Sequence, residues 1–136
     1  MKRALPNAPA WPGKVAVVSF SGAVQADRMQ AGAARLQALG CTVEAGDHTL
    51  RQWRYFAGTD EERLAAFHDV LASDAEIVFF SRGGYGASRV LHRIDWSKVA
   101  ASGKVFCGFS DLTAFSLAAL AQVNYVTFAG PLAAAE

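Results

Sequence analysis

Residues 14–20 (KVAVVSF) form an unbroken apolar run dominated by valine. A strand with one wet face alternates apolar with polar residues, whereas a continuous β-branched run belongs in a sheet covered on both faces, which in practice is a parallel one. Parallel strands cannot be joined by tight hairpins, so such a chain must supply crossover segments between its strands. The sequence does so repeatedly. Met29, Ala33, Leu36 and Leu39 recur at helical spacing over 26–39 and Gly40 is a helix stop. Residues 41–45 (CTVEA) read as a second strand, giving a β-α-β unit whose crossover is right-handed.

Further on, Thr59-Asp60-Glu61-Glu62 has the pattern of a capping box opening a helix that runs to about Ser73 and buries Leu64, Phe67 and Leu71. Residues 77–80 (IVFF) are a third buried strand, a short helix is expected over 87–93, and a polar connection leads to a fourth strand at 104–107 (KVFC). An apolar helix follows to about Gln122, and 125–128 (YVTF) read as a fifth strand. Trp53, Tyr55 and Phe56 are expected to form a hydrophobic flap packed on the domain. The pattern predicts a three-layer α/β domain, Rossmann-like or flavodoxin-like, with a mostly parallel sheet and helices on both faces, over 14–128 after a tail at 1–13. With 52% hydrophobic and 18% charged residues the chain can fill one such core.

Composition also removes several functions. A formal charge of +1 with scattered Lys and Arg lacks the footprint of a nucleic-acid binder. Pro6, Pro9 and Pro12 interrupt what would be the apolar centre of a signal peptide, and no run approaches the roughly 20 apolar residues of a membrane span, so a cytoplasmic protein with no membrane partner is expected. Cys41 and Cys107 border apolar strands and are expected to be buried thiols. His48, His68 and His92 are dispersed and there is no CxxC, so neither a metal nor a cofactor is expected.

Two loops leave the carboxyl ends of strands, where ligands of α/β sheets bind. Ser110 lies in Gly108-Phe109-Ser110-Asp111-Leu112-Thr113, shortly after the fourth strand and at the start of a helix. That is the context in which a strand-to-helix turn exposes a nucleophile, with the Asp111 amide as an oxyanion donor. Leu112 stands where G-x-S-x-G needs its second glycine, and the alternative reading is that Ser110 or Asp111 merely caps a helix start. From this motif alone both readings stay open. Arg82-Gly83-Gly84-Tyr85-Gly86 is either a turn that needs positive φ or a place where backbone N–H groups approach a ligand; its spacing fits neither phosphate-binding glycine motif.

Taken together, residues 15–22 (VAVVSFSG), 57–63 (AGTDEER), 82–86 (RGGYG), Leu91 with Asp95, 108–113 (GFSDLT) and 128–131 (FAGP) resemble the LD-carboxypeptidase family of serine peptidases, which includes the microcin immunity hydrolases. The resemblance implies that Ser110 is the nucleophile and that the amides of Asp111 and Gly84 form the oxyanion hole, with Arg82, Gly83 and Tyr85 binding substrate. It implies release of terminal D-alanine from a murein tetrapeptide during cell-wall recycling, without a metal, or, as an alternative, hydrolysis of an acyl-adenylate. Apart from the resemblance, the residues also allow a non-catalytic α/β binding module in which the glycine loop and helix start hold a small anion such as a peptide carboxylate. The family carries His-Gly-Pro where this chain has Ala129-Gly130-Pro131. Its activating Glu and His lie in a carboxy-terminal domain, so 129–136 are expected to begin a linker to that domain and these residues alone to be inactive. A homodimer is a further implication. Nothing in the sequence places one of the three histidines beside Ser110.

Overall fold

The computed structural model describes residues 2–134. Its elements, in chain order, are β1 (Lys14–Val18), α1 (Ala26–Ala38), β2 (Thr42–Glu44), α2 (Asp60–Ala72), β3 (Ile77–Phe80), α3 (Trp96–Ser102), β4 (Val105–Gly108), α4 (Thr113–Val123) and β5 (Phe128–Ala129). Every strand pairing is parallel, in the order β2-β1-β3-β4-β5. The chain therefore moves outward from β1 in one direction and then returns to build the other side, which leaves a crevice between the carboxyl ends of β1 and β3.

Side chains alternate across this sheet, and the two faces are filled unequally. Ala16, Val18, Val78, Phe80 and Phe106 meet Leu64, Phe67 and Leu71 of α2, Val99 of α3, and Phe115 and Ala119 of α4 in one large cluster. On the other face Val15 and Ile77 join Cys41, with Leu36 of α1 packed against them. The larger cluster centres on Phe20, Phe67, Phe80, Phe106 and Phe115, whose rings lie in edge-on or tilted contact except for the stacked pair Phe67 and Phe106. Aromatic pairs of this kind add about 0.5–1.5 kcal/mol beyond their area burial.

Several local expectations are corrected. The predicted helix over 87–93 is two 3-10 turns, Ala87–Arg89 and Leu91–Arg93, entered from Gly86 at φ 128. The polar connection after it contains α3, capped by the Asp95 carboxylate on the Lys98 amide and stopped by Gly103 in the left-handed region. The fifth strand begins at Phe128 and not at Tyr125, because Asn124 turns left-handed to end α4 and the buried Tyr125 ring donates its hydroxyl to the Lys104 carbonyl at 2.6 Å. Ala4 pairs with Tyr125 in an isolated parallel bridge, so part of the 1–13 segment lies along the domain. Cys107 is half-buried and not enclosed; burial still pushes its thiol up, and both cysteines are free. Near the end, Ala133 and Ala134 donate to the carbonyls of Phe80 and Ser81, while the last two positions of the expected linker, 135 and 136, lie outside the described residues.

Candidate active site

Ser110 follows β4 and stands in a 3-10 turn, Ser110–Leu112, that precedes α4. Its φ is +61, a left-handed conformation that costs an L-residue roughly 1–2 kcal/mol. The side chain is exposed and its hydroxyl has no hydrogen-bond partner among the described residues, so it caps nothing. The capping alternative fails for Asp111 as well. Its carboxylate reaches across the crevice, accepting from the Ser21 hydroxyl and, at 3.1 Å, from the Ala87 amide. One carboxylate thus ties together the loops that follow β1, β3 and β4.

The glycine loop is built to lie against Ser110. A Cβ on Gly83 would stand 3.1 Å from both Cβ and Oγ of Ser110 and 3.6 Å from the Asp111 nitrogen, so only glycine fits without displacing the serine. The Gly83 carbonyl accepts from the Gly22 amide at 3.0 Å. The 83–84 peptide is trans, and in a trans peptide the N–H points opposite to the carbonyl. Gly22 therefore turns the Gly84 N–H away from β1, leaving it available to a ligand. Gly84 has φ +92, and any side chain there would collide with the Tyr55 hydroxyl.

Behind this loop sits Arg63, 1% exposed. Its Nη1 donates to the carbonyls of Phe20 (3.0 Å) and Gly86 (2.8 Å), and its Nη2 donates to Asp60 at 2.6 Å. Its guanidinium also lies over the Phe56 ring. Desolvation lowers the Arg63 pKa, opposed by Asp60. Asp60, bridged to Arg89 as well, is held below the ordinary carboxylate range by that hydrogen bond first. The helix that carries this pair starts at the predicted capping box: Glu62 N–H donates to the Thr59 hydroxyl at 3.2 Å and Thr59 N–H to the Glu62 carboxylate at 3.1 Å.

Of the predicted site residues, the structure brings Gly83, Ser110 and Asp111 into contact and places Gly84 next to them; Arg82 and Tyr85 stand on the outer side of the same loop. Tyr85 is exposed and stacks against Tyr55 with ring centroids 4.7 Å apart. The aromatic flap is therefore only partly packed, because Trp53 and Tyr55 keep one side in solvent. Sequence reasoning missed the roles of Ser21, Gly22, Tyr55 and Arg63. Ser21, Gly22 and Arg63 did stand within segments that carry the resemblance, 15–22 and 57–63, but with no role attached to them.

The histidines lie elsewhere. His68 accepts from the Asp95 amide at 3.2 Å, His92 is exposed, and His48 is half-buried below α2; among the described residues none hydrogen-bonds Ser110. What is assembled is an unpartnered serine in a strained turn, packed against the glycine loop, with no histidine bonded to it among the described residues.

Residues 15–130 match the family model described as the LD-carboxypeptidase N-terminal domain. The murein tetrapeptide carboxypeptidase of Pseudomonas aeruginosa is 33% identical over 123 residues, which cover 89% of this chain and 40% of that protein. The crystal structure of muramoyltetrapeptide carboxypeptidase from Oxalobacter formigenes superimposes with a TM-score of 0.83 at 33% identity, over 90% of this chain and 41% of that one. The microcin C7 self immunity protein MccF, solved in complex with aspartyl sulfamoyl adenosine, gives a TM-score of 0.87 at 26% identity, over 97% and 40% of the two chains. The chain thus spans about two fifths of the length of the relatives it matches.

Proposed function

The chain belongs to the LD-carboxypeptidase family, and from that premise we propose that it is the nucleophile-bearing part of a serine hydrolase that releases a terminal D-amino acid, D-alanine, from a murein tetrapeptide. One observation carries the reading: Ser110 is exposed and unpartnered at φ +61, in contact with a loop whose glycine admits it. In the proposed reaction, Ser110 Oγ attacks the scissile carbonyl and its proton passes to a histidine. The oxyanion is held by the Asp111 and Gly84 amides, each donor contributing about 3–4 kcal/mol. Collapse expels the amine, which takes that proton, and water then releases the acyl group by the same steps.

The histidine and an orienting glutamate would come from a carboxy-terminal domain of the same protein. Relatives more than twice as long as this chain support that partner. Arg82, Gly83 and Tyr85 would bind the peptide. Cell-wall recycling in the cytoplasm and a homodimer complete the proposal, resting on family resemblance.

Likeness to MccF bound to an aspartyl sulfamoyl adenosine favours a second reading, hydrolysis of an acyl-adenylate. Both readings use Ser110. Full-length protein should liberate D-alanine from the tetrapeptide and incorporate a serine-directed phosphonate at Ser110, and Ser110→Ala should lose about a thousandfold or more in kcat. A mutant as active as the wild type sinks both hydrolase readings. Absence of labelling together with absence of turnover leaves the non-catalytic binding module.

A further inference from the structure

Arg63 and the Asp111 carboxylate grip the same two stretches of backbone from opposite sides. In the loop after β3, the Gly86 carbonyl accepts from Arg63 Nη1 at 2.8 Å, and the N–H at the other end of that same peptide, on Ala87, donates to Asp111 at 3.1 Å. In the loop after β1, the Phe20 carbonyl accepts from Arg63 at 3.0 Å and the next residue, Ser21, donates its hydroxyl to Asp111. The 86–87 peptide is trans, so its C=O and N–H point opposite ways, and a cation on one side with an anion on the other fixes its plane through two charge-assisted hydrogen bonds.

The loop needs such an anchor. Gly84 at φ +92 and Gly86 at φ +128 carry no side chain to restrict them, so the path between them is set by what holds its ends. The Gly22 N–H holds the Gly83 carbonyl at one end, and Arg63 with Asp111 holds the 86–87 peptide at the other. Gly86 is fitted to that grip, since a Cβ there would stand 2.9 Å from Arg63 Nη1 and 2.7 Å from the Phe56 ring. The Gly84 N–H lies between the two anchors. Stability alone does not account for Arg63. Its Nε is buried without a hydrogen-bond partner among the described residues, and a buried ion pair is often no more stable than apolar side chains of the same volume. What the guanidinium supplies is a fixed geometry, and Asp60, itself forked to Arg89, keeps it in register.

We infer that Arg63 is a positioning residue for the oxyanion hole, acting with the Asp111 side chain as one clamp on the 86–87 peptide. It touches no substrate. Releasing either side of the clamp frees the peptide and lets the Gly84 N–H turn away from the oxyanion, a loss felt in the transition state and not in the binding of substrate. The two side chains therefore act as a unit, and removing the second after the first removes nothing more.

The inference rests on the hydrolase reading, and the test separates them. Full-length protein is assayed on a murein tetrapeptide as wild type, Arg63→Met, Arg63→Lys, Asp111→Ala and the double variant Arg63→Met with Asp111→Ala. Arg63→Met and Asp111→Ala should each lower kcat about ten- to a hundredfold with KM little changed. The double variant should lose no more than the worse single one, whereas independent sites would multiply their losses. Arg63→Lys keeps the charge without the planar fork and should recover part of the rate. Should Arg63→Met fail to fold, Arg63→Lys takes its place in the cycle. Losses that multiply, or a wild-type kcat in the folded fraction of Arg63→Met, overturn the clamp and leave Arg63 a role in stability alone. Hydrogen exchange at the Ala87 amide reads the same bond without chemistry, and it should quicken about tenfold or more in both Arg63 variants. A wild type that neither turns over the peptide nor takes up the phosphonate defeats the hydrolase reading alone. Exchange then decides the clamp: an Ala87 amide as protected in the Arg63 variants as in the wild type overturns it.

Discussion

The two ends of β4 are built for different ends. At its amino end Lys104 is 5% exposed, and its ammonium donates to the carbonyls of Ser73 (2.7 Å) and Ala75, while its own carbonyl accepts from Tyr125. Burial lowers the Lys104 pKa, and the carbonyls satisfy the charge that remains. At the carboxyl end Ser110 is exposed, left-handed and unpartnered. A strand that closes its polar groups at one end and leaves them open at the other keeps its rigidity away from the chemistry and holds the reactive group by its surroundings. The contrast predicts that changes at the open end will alter rate with little effect on stability, and that changes at the closed end will do the reverse.

After Ser110→Ala, the largest effect should come from Gly83→Ala. The added methyl must displace Ser110 or its own loop, since it would stand 3.1 Å from both side-chain atoms of the serine. Loss of a working oxyanion donor costs about a hundred- to a thousandfold in kcat. Steady-state kinetics and thermal melting of the full-length variant should show that loss with a melting point close to the wild type; retention of more than half the activity would break the open-end picture.

Asp111→Ala should be next. It removes the acceptor shared by Ser21 and Ala87, freeing three loops from one another, and should lower kcat about ten- to a hundredfold while KM changes little. Asp111→Asn keeps a carbonyl oxygen for the Ala87 amide and should recover much of the rate. If asparagine and alanine behave alike, the carboxylate is not positioning the loops through these bonds.

The same contrast explains how much of the molecule was legible in the sequence. The strands β1 and β3 were plain, because continuous runs of valine, isoleucine and phenylalanine fit few other environments, and the capping box located α2 at Thr59. Ser110, Gly83 and Gly84 stood in motifs because their backbone conformations and close approach restrict the residue type. The helix α3 was overlooked although Asp95 and Gly103 mark its ends, since its short polar sequence buries only Val99. The β5 boundary and the two 3-10 turns depend on tertiary partners such as Lys104 and Gly86 that spacing cannot reveal. For the same reason the roles of Ser21, Gly22, Tyr55 and the Asp111 side chain were invisible: each acts on a residue far away in the chain.

At the closed end Lys104→Met should leave the carbonyls of Ser73 and Ala75 without their donor. Unsatisfied buried acceptors cost about 1–3 kcal/mol, so urea unfolding should move to lower denaturant by that amount. The folded fraction should hydrolyse substrate at the wild-type rate. A variant of full stability would mean that the ammonium's own desolvation cancels what its hydrogen bonds contribute.

The smallest effect belongs to His48, which lies between β1 and α2 beside Ala16, Glu44, Ala66, Asp69 and Val70. Desolvation pushes its pKa below the ordinary 6.5, with Arg51 acting in the same sense and the Val17 carbonyl, Asp69 and Asp47 against it. Its Nε2 is buried without a partner, so a proton there would be poorly solvated. A group whose folded pKa is depressed binds protons more readily in the unfolded chain, so its contribution to stability is complete above about pH 6.5 and is lost as the pH falls from there through the lower folded value. Comparing urea unfolding at about pH 7.5 and about pH 5.5, the wild type should lose more stability than His48→Gln. The two should differ little at the higher pH, and Ser110 labelling should not respond to the substitution, since His48 contacts neither loop of the crevice. Identical pH dependence in both proteins would place the acid sensitivity on other groups. A labelling rate that changes with His48 would instead couple the packed interior to the open end, and the separation seen along β4 would not extend to β1.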